Sequence, residues 1–358
     1  MRPFLPTCFS VLLCAVGCGS GVSGGSADGG GLGGAGNGGT GNGGAGNAAG
    51  AGNAGGSGNA AGAGNAGGAG NAAGAGNAGG SGGIVGTFPP GCIDKGAANV
   101  CARWKADRAD LSEGTWSGNV GSCNPGDISA NGRANALRLI NLYRYMVGLP
   151  EATSDPTRNQ KAQACALMMK AEGKLSHTPD TGWGCYSADG AEAAGKSNIS
   201  TGSGVGAVDR YMRDNGNLTT MGHRRWIVSN TLGLVGLGST DAASCMWVIS
   251  GGGKATRKWT AWPPEGDVPF EHIDYIKGTG WTIQSSDITL NNATVKITDQ
   301  TGKEMPVSVT VLQPNFGAKN ALLIQLSGWA AQAGSAYAVQ VSGSSEPICY
   351  VVNVVNCG

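Results

Sequence analysis

The sequence predicts an α+β protein that follows a long low-complexity segment, and three observations support this prediction. From residue 19 to residue 83 the chain consists almost entirely of Gly, Ala, Asn and Ser. Apolar residues then recur at helical spacing within residues 130–250. Beyond about residue 251 they alternate with polar residues instead. Helices followed by alternating strands indicate that helix and sheet are segregated along the chain.

The first residues resemble a bacterial lipoprotein signal. A charged start is followed by an apolar run that is too short to span a bilayer as a helix. Ala15-Val16-Gly17-Cys18 is similar to a lipobox, in which the signal is cut before the cysteine, although Ala15 stands where Leu is usual. The alternative is an ordinary secretory signal cut nearby. We therefore expect a signal peptide over residues 1–17 and a lipid on Cys18, which anchors the protein to a bacterial membrane facing the periplasm or the cell surface.

Residues 18–83 contain near-repeats such as Gly-Asn-Ala-Ala-Gly-Ala. This composition cannot bury enough apolar area to offset the entropy of ordering, so it predicts a disordered linker. The square-root scaling of Gly-rich chains gives such a linker an r.m.s. span of roughly 45 Å.

The cysteines favour an oxidising compartment. Of the 11 cysteines, two leave with the signal and Cys18 takes the lipid. Eight remain, an even number as complete pairing requires, and no C-x-x-C pair typical of zinc sites occurs among them. Eight cysteines allow 105 pairings, so the connectivity stays open, although we expect one bridge between Cys349 and Cys357. The disulfide candidates are Cys92, Cys101, Cys123, Cys165, Cys185, Cys245, Cys349 and Cys357.

Charge and hydropathy exclude two classes of partner for the rest of the chain. The net charge is +1 and no basic run occurs, so nucleic acid is not an expected partner. No stretch after the signal is long and apolar enough for a membrane span. About 270 residues follow the linker, which is enough for two compact domains.

The pattern along these residues suggests a leader and a helical domain. Residues 84–129 have little periodicity, and we interpret them as a cysteine-containing leader stapled onto the next domain. Residues 130–250 predict three helices. The first begins near Ala130, the second ends at Gly173 and the third ends near Gly216. Short strands are predicted at 226–228, 232–237 and 245–249.

Residues 251–358 predict a small all-β sandwich of the immunoglobulin-like kind. Alternating valines, leucines and isoleucines mark antiparallel strands near residues 295, 309, 324, 340 and 353, over about 100 residues. The proline-containing segment Trp262–Gly266 predicts a stiff hinge between the two domains. His272, just past it, is expected at the surface or between the domains.

Four separate motifs in residues 130–250 resemble those of the CAP superfamily, also called SCP/PR-1-like or cysteine-rich secretory proteins. Asn141-Leu142-Tyr143-Arg144 looks like the N-x-x-R first helix, and Leu175-Ser176-His177-Thr178-Pro179 looks like the first histidine motif. Ser197-Asn198-Ile199 occupies the place of Glu-Asn-Ile. Gly222-His223-Arg224 is similar to the Gly-His-Arg motif of bacterial members. The motifs occur in the family's order and spacing.

The resemblance implies an α-β-α sandwich whose shallow cleft holds two histidines and two acidic residues. The histidines carried over are His177 and His223. Ser197, followed by Asn198 in the cleft, stands at the first acidic position, and Asp214 replaces Glu at the second. One carboxylate is therefore shortened and one is lost. The strands after residue 251 also resemble an extension that some bacterial members carry.

The chemistry of these residues leaves a metal site open. Two neutral imidazoles can bind zinc or another divalent metal, but most zinc sites have three protein ligands. Asp214 is the candidate third ligand, and Glu192 is a candidate substitute for the carboxylate missing at Ser197. The other interpretation is structural, with both histidines hydrogen-bonded to a carbonyl or a carboxylate.

Three functions remain in view. The first is an envelope-anchored binding module that engages an extracellular lipid, glycan or protein, which is the role mainly associated with the family. The second is a metal-dependent hydrolase that uses the two cleft histidines. The third is a structural envelope protein with a vestigial site. Because the acidic set is broken and the linker is long, we adopt the first function and assign no catalytic residue.

Overall fold

The structure, a computed structural model of the chain, describes residues 86–358. The predicted signal peptide, Cys18 and the predicted linker over residues 18–83 lie outside the described residues. Within this part of the chain no helix is both long and apolar enough to cross a bilayer.

The first half of the described chain contains six helices and four strands. The helices are α1 (Val100–Asp107), α2 (Ala130–Met146), α3 (Pro156–Glu172), α4 (Ala188–Lys196), α5 (Gly204–Arg213) and α6 (Gly222–Ile227). The strands are β1 (Thr153–Ser154), β2 (Ser197–Thr201), β3 (Leu234–Ser239) and β4 (Ala243–Trp247).

These strands form one sheet, in the order β1-β3-β4-β2, between two layers of helices. Side chains of a strand alternate between the two faces of a sheet. On β4, Cys245 and Trp247 therefore join the core under α3 and α4, whereas Met246 joins the core under α2 and α5. Helix α3 packs so closely on β3 that a Cβ on Gly238 would lie 2.2 Å from backbone atoms of α3. The predicted α-β-α sandwich is confirmed.

Local signals explain why α3 forms where it does. The Asp155 side chain accepts a hydrogen bond from the Arg158 amide (2.8 Å), and Pro156 occupies the first turn, where its missing N–H costs nothing. Gly173 ends the helix in the left-handed conformation, with φ of 69°.

The second half of the described chain contains nine strands and one helix. They are β5 (Thr260–Trp262), β6 (Gly266–Pro269), α7 (Phe270–Tyr275), β7 (Trp281–Ser285), β8 (Thr294–Asp299), β9 (Glu304–Met305), β10 (Val307–Val311), β11 (Asn320–Leu326), β12 (Ala336–Ser342) and β13 (Ile348–Val355). One sheet has the order β10-β11-β7-β5 and the other β6-β13-β12-β8-β9. The predicted β-sandwich is confirmed.

Two details of the sandwich differ from the prediction. Strands β6 and β13 pair in parallel, and the long stretch of chain between them provides the connection that parallel pairing requires in place of a hairpin. The segment Trp262–Gly266 is not a hinge, since Trp262 is fully buried at the end of β5 and Gly266 begins β6. Leu139 of α2 and Val352 of β13 belong to the same hydrophobic core, which crosses the predicted boundary at residue 250.

One local prediction is wrong. The sequence predicts a strand at residues 226–228, but Trp226 and Ile227 end helix α6. A short apolar run does not distinguish a strand from a buried helical turn, because its length fits both.

All eight downstream cysteines are paired, which confirms the disulfide prediction. The expected bridge between Cys349 and Cys357 is wrong. The two residues are separated by most of strand β13, which at about 3.3 Å per residue holds them far beyond the Cα–Cα reach of a disulfide. The bridges are Cys92–Cys349, Cys101–Cys357, Cys123–Cys185 and Cys165–Cys245.

Three disulfides join the residues before α2 to other parts of the fold. Cys92 and Cys101 tie them to the last strand, and Cys123 ties them to the loop before α4. They are less irregular than expected, since α1 lies within them and packs on α2 and β6.

Candidate functional site

The two motif histidines line one cavity with a volume of about 370 Å³. His177 lies in the loop between α3 and α4, and His223 is the second residue of α6. Ser197 and Asn198, at the start of β2, lie beside them. The other lining residues are Gly195, Asn217, Thr220, Gly222, Trp226, Ile249 and Phe316.

A buried carboxylate orients His223. Its Nδ1 lies 2.7 Å from Oδ1 of Asp214, whose side chain is completely buried. The amide of Arg224 donates to the other oxygen of Asp214 (3.2 Å), and the Asn217 side chain donates to Oδ1 (3.1 Å). Because a carboxylate only accepts, Nδ1 of His223 carries the proton and Nε2 carries a lone pair.

His177 has the same tautomer. Its Nδ1 lies 2.9 Å from the carbonyl oxygen of Ala194 in α4, and a carbonyl also only accepts. Both imidazoles of the cavity therefore have Nε2 as their free acceptor.

The other candidate residues differ in whether they line the cavity and in their hydrogen-bond partners. Ser197 is buried, and its Oγ has no hydrogen-bond partner among residues 86–358. The Asn198 side chain donates to the carbonyl oxygen of His223 (3.0 Å) and so joins β2 to α6. Glu192 does not line the cavity, because it pairs with Lys161 (2.6 Å) and Lys196 (2.8 Å) on the surface of α4. Hydrogen bonds from these two lysines lower the pKa of Glu192 to about 2.

This geometry agrees with a comparison of the sequence with known protein families. Residues 137–249 match the model of the cysteine-rich secretory protein family, CAP. The chain contains a CAP domain. No curated protein and no solved structure matches the chain. The CAP domain and the four disulfides indicate a protein of the extracellular type.

The donors of the CAP cleft fit a metal site of two histidines better than one of three ligands. Within residues 86–358 no group of three or more His, Cys, Asp or Glu side chains could hold a metal ion together. Asp214 lies behind His223, where outer carboxylates fix the ring of a ligating histidine. Catalytic zinc usually has three protein ligands, so the residues present do not fit that role.

We predict that zinc binds weakly through His177 and His223. Zinc in a hundredfold excess over its dissociation constant should raise the melting temperature by about 5 °C, because it binds only the native state. His223→Ala should abolish the shift, while Glu192→Gln, at a carboxylate outside the cavity, should leave it unchanged. A melting temperature that does not move at millimolar zinc would show that both histidines are structural.

The sandwich supplies one wall of the CAP cleft. Phe316, in the loop between β10 and β11, lines the cavity together with Trp226 and Ile249. Arg225 of α6 holds this loop, since its guanidinium donates to the carbonyl oxygens of Gln313 (2.7 Å) and Ala318 (3.1 Å). Sequence reasoning missed Phe316, because nothing in the alternating pattern of the sandwich marks it as a neighbour of α6.

A second cavity, with a volume of about 340 Å³, is also lined by His223. Asp214 borders this cavity and not the first. The other residues that line the second cavity lie in the loop after α3, in β2, in α5 and the turn that follows it, and in α7: Leu175, Ile199, Ser200, Thr201, Arg210, Tyr211, Arg213, Asn215 and Tyr275.

The third histidine of the chain lies in neither cavity. His272 of α7 is buried rather than at the surface, and its contact with Tyr143 of α2 agrees with the alternative prediction of a position between the domains. Its ring is 5.1 Å from that of Trp262. Tyr143 must donate to Asp209 (2.5 Å), so it accepts from Nδ1 of His272 (2.9 Å). Arg108 holds Asp209 through two hydrogen bonds. Burial lowers the pKa of His272 to about 3.

Proposed function

We propose that the protein is an envelope-anchored CAP module that binds an extracellular lipid, glycan or protein in the cleft of His177 and His223. The composition of the cavity carries the proposal. Phe316, Trp226 and Ile249 form an apolar side, and polar groups of the CAP domain converge opposite them. Pockets of this composition are typical of sites that bury the apolar part of a ligand and orient its polar part.

The same residues count against hydrolysis as the main function. A hydrolytic zinc site needs a firm ligand set, an open position for water and a base near it. Ser197 stands where a carboxylate would lie, and both oxygens of Asp214 are already engaged. Ser197 therefore supplies no carboxylate base, and Asp214 is a poor candidate for the third metal ligand.

The anchor is part of the proposal and rests on the sequence. Cys18 would carry the lipid, and residues 19–83 would let the folded part reach ligands away from the membrane. Mass spectrometry of the mature protein should find acyl chains on Cys18. An unmodified N-terminus at another residue would contradict the anchor and leave the binding cleft unaffected.

Binding can be tested by thermal stabilisation of the full chain with a panel of lipids, glycans and envelope fractions. For any ligand that stabilises the protein, Phe316→Ala should raise the dissociation constant at least about tenfold, because a buried Phe side chain contributes about 1.5–3 kcal/mol. Tyr186→Ala is the matched control, since Tyr186 is an exposed aromatic residue outside the cavity.

Two results would contradict the proposal. One is stabilisation that is equal in Phe316→Ala and the unmodified protein, which would place the ligand elsewhere. The other is metal-dependent turnover that is lost in both His177→Ala and His223→Ala, which would favour the hydrolase.

A further inference from the structure

The second cavity contains an arginine without a polar partner. Arg213, the last residue of α5, lines the cavity, and its Nε atom is buried without a hydrogen-bond partner among residues 86–358. No carboxylate in this part of the chain forms an ion pair with it. Buried polar atoms are nearly always hydrogen-bonded in folded proteins, so an unpartnered guanidinium nitrogen in a cavity requires an explanation.

An aromatic ring of the sandwich contacts this guanidinium. The central carbon of the Arg213 guanidinium lies 5.2 Å from the centroid of the Tyr275 ring, within the range of a cation–π contact. Tyr275 ends α7, so the sandwich positions the charge without neutralising it.

A second arginine lies on the same face of α5. Arg210 is three residues before Arg213, and side chains at this spacing are neighbours on a helix. It donates to Oγ of Ser200 (3.0 Å) and to the carbonyl oxygens of Thr201 (2.8 Å) and Ser203 (3.1 Å). These acceptors are neutral. The Glu113 carboxylate lies near Nη1 of Arg210 but forms no ion pair with it and does not line the cavity, so Arg210 adds positive charge to the cavity wall.

Asp214 is the acidic residue that borders the cavity, but it is a poor partner for these arginines. Its side chain is completely buried. Its two oxygens accept hydrogen bonds from the His223 ring, the Asn217 side chain and the Arg224 amide. Two guanidinium groups therefore face a single carboxylate that other donors already satisfy, and the cavity has an excess of positive charge.

We propose that the second cavity is an oxyanion-binding site, in which Arg213 and Arg210 hold a carboxylate, sulfate or phosphate group. A guanidinium is planar and presents several donors in a fixed fork, which matches the paired oxygens of these groups. The oxyanion supplies acceptors to the guanidinium of Arg213, whose side chain donates no hydrogen bond among residues 86–358. The site rests on α5, β2 and α7 and does not require a ligand in the first cavity.

Because His223 lines both cavities, the oxyanion could come from two sources. It is either a free inorganic anion or the acidic group of a larger ligand whose remainder passes His223 into the first cavity. The two sources differ in whether the apolar residues of the first cavity contribute to affinity.

The test is calorimetric titration of the full chain with inorganic phosphate and with hexyl phosphate, at fixed low ionic strength and with chloride as the reference anion. Arg213→Gln should raise the dissociation constant about tenfold, since it removes a charge-assisted hydrogen bond. The dissociation constant of Arg213→Lys should lie between those of the unmodified protein and Arg213→Gln, because lysine keeps the charge but lacks the forked donors of arginine. The side chain of Arg213 donates no hydrogen bond among residues 86–358, so these variants should fold.

Lys105→Gln is the control for net charge, because Lys105 is an exposed residue of α1 away from both cavities. Equal affinities for the two phosphates support a free anion. Tighter binding of hexyl phosphate that Phe316→Ala reduces supports an acidic group on a larger ligand. The proposal is overturned if neither phosphate binds beyond the chloride reference, or if Arg213→Gln and Lys105→Gln weaken binding equally.

Discussion

Replacing Arg225 by Met should lower the free energy of unfolding by about 3–5 kcal/mol, because several buried acceptors lose their donor at a cost of about 1–3 kcal/mol each. The side chain is fully buried and donates to the carbonyl oxygens of Thr220, Gln313 and Ala318, and to Oε1 of Gln284. Burial lowers its pKa to about 10, so it remains charged at neutral pH. Methionine fills most of the volume but leaves these acceptors without a donor.

Urea unfolding measures the loss, and Arg158→Met is the matched control. Arg158 also donates to two carbonyl oxygens, those of Leu234 and Ser250, but it does so near the surface, where water can replace it. Its loss should cost less than about 1 kcal/mol. Similar losses for the two variants would mean that burial does not decide the contribution of Arg225.

The free energy of unfolding should decrease as the pH is lowered from about 6.5 to 3, and His272 should account for a large share of the decrease. Burial keeps this imidazole neutral and lowers its pKa from 6.5 to about 3. The unfolded chain therefore binds a proton over this interval that the native protein does not. The stabilisation is complete above pH 6.5 and is lost as the pH falls towards 3.

The expected share of His272 is about 2 kcal/mol between pH 6 and pH 4, from the linkage of about 1.4 kcal/mol per pKa unit. The surrounding charges act in both directions on the pKa of His272, since Asp209 raises it whereas Arg224 and Arg108 lower it. His272→Phe keeps an aromatic ring and removes the titration. Urea unfolding from pH 7 to pH 4 should give a shallower slope for this variant, and parallel curves would contradict the assignment.

Sequence patterns predict the elements that carry strong local signals. Helix α3 has an N-cap at Asp155 and a C-cap at Gly173, and the strands from β8 onwards show the alternation of a half-buried sheet. Helix α4 has no stripe of large apolar residues, because alanine and glycine fill most of its nine positions, so the periodicity does not predict it. The prolines of the segment Trp262–Gly266 predict a hinge, and they hide the short strand β5 that ends at Trp262.

The residues of the candidate site also differ in whether a local sequence signal predicts them. His177 and His223 could be found because they belong to short motifs with fixed spacing. Phe316 and Tyr275 could not, since each reaches its cavity from a loop or helix end of the sandwich, far from the CAP motifs in sequence. The unpartnered state of Arg213 depends on which side chains lie around it in three dimensions.

The bridge between Cys92 and Cys349 also determines where mechanical tension enters the protein. A pull on the chain at residue 86 reaches Cys92 after a few residues and passes through the covalent bond into β13. This strand lies between β6 and β12 in its sheet, so the tension acts along strands whose ladder hydrogen bonds resist sliding together. Tension from the N-terminal side therefore enters the fold through the sandwich, before it reaches the helices of the CAP domain.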